Sequence, residues 1–124
     1  MIGVFMLNDL EDVGFTIHSN AIDKGFYDPV GRMEEQDILI FELKQLSMIH
    51  SEVTEVLEAL RKNKGPATVA DEMADIFIRL VDLYSFFRRR GKVDKPLAEA
   101  VTFKMNANTE RERMHGVWHN ARRR

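Results

Sequence analysis

Glu52 and Glu55, then Glu72 and Asp75, form two acidic pairs at three-residue spacing, each inside an otherwise apolar helical pattern. On a helix that spacing sets both members of a pair on neighbouring parts of one face. Two such helices packed antiparallel would gather four carboxylates, with no matching set of cations nearby in sequence. Like charges held together in a partly dry site repel and lose hydration, which costs free energy unless a cation compensates. Oxygen ligands suit hard divalent ions, so the pattern points to magnesium, with manganese a workable substitute, or calcium. The competing reading of each acid is an ordinary surface charge, or an ion pair with Arg79 or Arg61.

The elements that must position these acids are helices. Asn8 or Asp9 can cap a first helix that carries Val13, Ile17 and Ala21 inward and stops near Lys24-Gly25. Residues 25–31, with two glycines and a proline, read as a loop. From about Met33 to Lys62, Leu39, Leu43, Leu46, Ile49, Val53, Val56, Leu57 and Leu60 keep helical spacing, and Asn63-Lys64-Gly65-Pro66 ends the run with a glycine just past it. A third helix is predicted over about Val69–Arg90, stopped by Gly91, and a fourth from Pro96 to about Arg113. No stretch alternates as a strand does. The expectation is an all-α, four-helix bundle-like subunit whose central helices run antiparallel, because the connection between them is short.

Helical geometry also ranks the acids. Glu52 falls at the edge of the main apolar stripe of the second helix and Glu55 a little further round, whereas Glu58 points to solvent. On the third helix Glu72, Asp75, Arg79 and Asp82 make one narrow polar strip on a surface that is apolar nearly all round, so this strip is expected to face an interior or a cleft.

Size and composition bound the rest. The 124 residues suffice for one domain; 44% are hydrophobic and 31% charged, and the net charge of −2 gives no drive towards nucleic acid or an anionic membrane. The absence of cysteine removes disulfides, thiolate metal sites and cysteine nucleophiles. No run approaches the roughly 20 apolar residues that span a bilayer, and the apolar start Met1–Leu7 lacks a basic leader. A cytoplasmic protein without a membrane partner is the expectation. His50 beside the acidic motif reads as structural, and His115 and His119 lack zinc-ligand spacing. The basic segment 117–124 reads as a solvated, disordered tail.

The ordered motifs resemble a known family. Ile49-His50-Ser51-Glu52-Val53-Thr54-Glu55-Val56-Leu57-Glu58-Ala59 followed by Asp71-Glu72-Met73-Ala74-Asp75-Ile76 is similar to the EExxE…ExxD signature of the MazG-like nucleoside triphosphate pyrophosphohydrolases, in the all-α superfamily, with Ser51 in place of the first glutamate. Lys104, Asn108, Arg111, His115 and Gly116 resemble that family's K-x-x-x-N-x-x-R…HG pattern, and Ile17-His18 with Asp23-Lys24-Gly25-Phe26-Tyr27 its first helix and K-G-F-W segment. The resemblance runs from about Phe15 to Gly116.

The resemblance implies hydrolysis between the α and β phosphates of a nucleoside triphosphate, giving monophosphate and pyrophosphate. Magnesium would be held by Glu52, Glu55, Glu72 and Asp75, which would form the catalytic set. Glu55 is one candidate for accepting the water proton. Lys104, Asn108 and Arg111 share a helix face at i, i+4 and i+7 and would bind phosphate. Lys24, Phe26 and Tyr27 would bind substrate, the two rings either stacking on the base, packing in the core or meeting another subunit. Alternatives are a deoxyuridine or deoxycytidine triphosphatase specificity within that superfamily, or a non-catalytic, metal-binding helical module. The third helix is too apolar for one chain to cover, so a homodimer or a dimer of dimers is expected.

Overall fold

The computed structural model describes residues 4–111, with side chains from Asp9 onward. They form α1 (Val4–Asp23), a short 3-10 helix (Asp28–Arg32), α2 (Glu35–Arg61), α3 (Pro66–Arg89) and α4 (Leu97–Thr109), with no strand among the described residues. No helix among them is long and apolar enough to cross a membrane. The all-α expectation holds and each predicted helix is present, but α1 begins at Val4, so Asn8 and Asp9 lie inside it and do not cap it.

The helix ends follow from hydrogen-bond bookkeeping. At the end of α1, Gly25 donates to the Ile22 carbonyl and Phe26 to that of Ala21, closing the last orphan carbonyls around a glycine at φ +83°. α2 ends the same way, but the left-handed residue is Asn63 (φ +53°), not the glycine the sequence pattern suggests. Asn63 donates to Leu60 and Lys64 to Ala59. Gly65 instead precedes Pro66, the first residue of α3. This tight connection turns α2 back on α3, its main packing partner. α1 packs on α3 and α4, and α4 lies against α1 and more lightly against α3.

The core is aromatic at one end. Tyr27, Ile38, Leu83 and Phe86 are buried together, with Phe41, Ile49 and Phe87 packed around them. The Tyr27 and Phe86 rings stack with centroids 4.8 Å apart, and Phe41 meets Phe86 edge-on at 5.8 Å. α1 contributes Gly14 and His18 to the interior, both buried. Val13, expected inward, is 45% exposed. Two charged residues are also buried, of which the helical pattern singles out Asp82 but not Glu42. Glu42, on the core side of α2, takes Lys92 Nζ at 3.2 Å, and Asp82 sits beneath Tyr27.

Much of the predicted α2 stripe does not enter this core. Leu39, Leu43, Leu46, Val53, Leu57 and Leu60 are all roughly half exposed. With His50 they follow a strict 4-3-4-3-4-3 spacing, the seam by which one helix meets another. Met73, Phe77 and Leu80 of α3 are similarly uncovered.

Candidate metal centre

The hairpin of α2 and α3 brings Glu52, Glu55 and Glu72 together, so that one carboxylate oxygen from each lies within 4.8 Å of the other two. The long apolar pattern makes the two helices pack, and the short turn sets Glu55 and Glu72 at matching heights. Asp75, the fourth acid of the sequence pattern, is exposed and lies outside this trio. Around one magnesium ion, ligand oxygens sit about 3–4 Å apart. Closing the trio on such an ion needs side-chain movement on the order of one ångström. The donor set, all carboxylate oxygen, fits that hard cation.

One cation already balances part of this charge. Arg79 Nε lies 2.9 Å from Glu52 Oε1, and the Glu52 side chain is only 14% exposed. The ion-pair reading of the acids therefore holds for Glu52. It does not extend to Arg61, which reaches Glu58 at 2.8 Å on the outer face of α2. Glu55 and Glu72 have no ion pair among the described residues.

Arg79 also borders an open cavity of about 540 Å³ lined by α1, the turn after it, α2 and α3. Ile49, one turn before Glu52, and Ile78 supply apolar wall, while Asn20 and Gln45 add amides, and Lys24 and Phe26 close one side. The acidic trio and the cavity are thus joined through Arg79 and the α2 turn that ends at Glu52.

For Tyr27 the core-packing alternative holds. Its ring is 7% exposed, and its hydroxyl donates to Asp82 Oδ2 at 2.9 Å. Burial, and next the Asp82 charge, hold its phenol far above the ordinary tyrosine pKa, so it stays neutral. Phe26, at its edge with centroids 4.9 Å apart, retains an exposed face. Asp82 also accepts from His18 Nδ1 at 2.7 Å. It is thus a buried acceptor for two side chains, in line with the expectation that the strip faces an interior, whereas Asp75 on the same strip is exposed. The sequence carries a faint sign of this: His18 falls on the inner face of α1, and a polar group there needs a buried partner.

Lys104 and Asn108 are exposed on α4, and Arg111 lies just beyond its end. α4 and α2 share at most marginal contact, so one chain does not bring these three to the acidic trio. His115, Gly116 and the basic tail fall outside the described residues. Comparison with protein-family models, with curated proteins and with solved structures finds no match.

Proposed function

We propose that the chain is a magnesium-dependent nucleoside triphosphate pyrophosphohydrolase, cleaving between the α and β phosphates. The observation that carries this reading is the convergence of Glu52, Glu55 and Glu72 beside a cavity with amide, aromatic and cationic walls. The sequence resemblance supports the same chemistry. A bound magnesium would offset phosphate charge and favour ionisation of an attacking water.

The chain's own residues divide the remaining work. Glu52, Glu55 and Glu72 would hold the cation, and Asp75, one turn beyond Glu72, would join them if α3 side chains closed on it. Exposed Glu55 would be a candidate to accept the water proton. Phe26 offers a ring to the base, and Asn20 and Gln45 offer donors and acceptors to its edge. Arg79 and Lys24, at the cavity wall, serve the phosphates.

Lys104, Asn108 and Arg111 fit a phosphate role in a site completed by a second copy. The exposed 4-3 seam of α2 supports such a homodimer, because an uncovered apolar stripe of this regularity is stabilised by meeting another helix. The test is direct: purified protein with magnesium and a panel of ribo-, deoxy- and modified triphosphates. Monophosphate plus pyrophosphate supports the reading. Orthophosphate, or no product from any member of the panel, contradicts it.

A further inference from the structure

The uncovered stripe of α2 runs from Leu39 to Leu60, and its midpoint falls beside His50. At about 1.5 Å per residue it extends about 32 Å. The uncovered stripe of α3, from Met73 to Leu80, extends only about 10 Å. Among the described helices, therefore, only another α2 matches the α2 stripe along its whole length.

Charge says which way round the second α2 would lie. The helix opens on Glu34, Glu35 and Asp37 and closes on Arg61, Lys62 and Lys64, all of them exposed. Within the chain Glu35 meets Arg90, while Arg61 and Lys62 share Glu58. Glu34, Asp37 and Lys64 have no ion pair among the described residues. Two parallel α2 helices would set acid against acid at one end and base against base at the other. Turned antiparallel, each acidic end meets a basic end, and the two helix dipoles oppose.

We propose that α2 pairs antiparallel with α2 of a second copy, about a two-fold axis beside His50. The two His50 side chains then lie within about a turn of each other, as a polar pair in an otherwise apolar seam. A single polar position of this kind fixes register and orientation at some cost in stability. Glu55 sits about 140° round α2 from His50, so the acidic trio stays outside the contact. The proposal rests on the homodimer inferred above but not on its triphosphate chemistry.

The chain has no cysteine, so thiols placed on the stripe report contact without background. L39C, L60C and L39C/L60C are treated with a short bismaleimide, without nucleotide or metal, and covalent dimer is read on a denaturing gel. In the antiparallel pair Leu39 of one copy lies beside Leu60 of the other. In a parallel pair, or within one helix, those positions are about 31 Å apart, beyond the reach of the reagent. The double variant should therefore give at least about ten times more covalent dimer than either single variant. H50C should cross-link by itself. L43C/L57C with its single variants repeats the comparison and keeps the test interpretable if changes at 39 and 60 disturb the fold. Cross-linking of the single variants at Leu39 or Leu60 as strong as that of the double variant would show a parallel pair. No covalent dimer from the folded double variants, or none from H50C, would remove this pairing. Each of these results overturns the proposal and leaves the pyrophosphate assay to be scored separately.

Discussion

Replacing Tyr27 with phenylalanine isolates one interaction that the architecture makes testable. The ring stays in place, stacked on Phe86 and flanked by Phe41 and His18, so no cavity opens and only the hydroxyl is lost. That hydroxyl donates at 2.9 Å to Asp82, which is 8% exposed. Buried hydrogen bonds to charged groups contribute about 1.5–3 kcal/mol. His18 still holds the other carboxylate oxygen at 2.7 Å, which favours the lower half of that range. The melting temperature of Tyr27→Phe should therefore drop by about 5–10 °C. Urea denaturation gives the free energy directly, and a double-mutant cycle with Asp82→Asn should show coupling of at least about 1 kcal/mol. A loss below about 0.5 kcal/mol, or additive single variants, would mean that Tyr27 is not tied to Asp82 and would refute the core assignment.

Three further outcomes follow from named contacts. Lys92→Met leaves Glu42 buried without its cation and should cost about 1–3 kcal/mol in urea unfolding; a neutral variant would show that Lys92 adds nothing to Glu42. Tyr27 and Tyr84 both have raised phenol pKa values, chiefly from burial. The protonated phenol is thus favoured in the folded chain: this contribution is complete below pH 10, the unfolded value, and is lost as pH rises beyond it. Absorbance near 295 nm should show neither tyrosine half-ionised at pH 10 in the native protein, and ordinary titration of both would contradict their burial. Leu43→Asp with Leu57→Asp puts charges on the α2 seam at half-exposed positions, so light scattering should report a monomer that keeps its helical circular dichroism. An unchanged oligomer, or a parent that is already monomeric, would remove the seam as a self-association surface.

The parts legible in the sequence were those set by local rules. Helical periodicity and the short connection after Lys62 predict the α2–α3 hairpin, although Pro66, read as part of the stop after α2, is in fact the first residue of α3. That hairpin in turn brings Glu55 and Glu72 together. Helical angle says little about which neighbour a side chain meets. Asp82 shares the strip of Asp75, yet Asp82 is enclosed by His18 from α1 and Tyr27 from the loop while Asp75 stays exposed. Both partners are more than fifty residues away in sequence, so periodicity does not register them. The same limit applies to α4. The spacing of Lys104, Asn108 and Arg111 shows a common face, but helix packing turns that helix towards α1 and away from α2. The α2 seam is visible as apolar spacing, while its separation from the core-facing side appears only once Ile38, Ala59 and Glu42 are seen to be buried and Leu43 and Leu57 are not.

The central claim is that Glu52, Glu55 and Glu72 bind magnesium in order to split a triphosphate between its α and β phosphates. It is tested most directly by pyrophosphate release from a triphosphate panel, comparing the parent with Glu55→Gln and Glu72→Gln. The parent should give magnesium-dependent pyrophosphate and monophosphate, with a loss of at least about a hundredfold in each variant while helical circular dichroism is retained. Equal turnover in the folded variants, or a parent that releases orthophosphate or nothing at all, would contradict it.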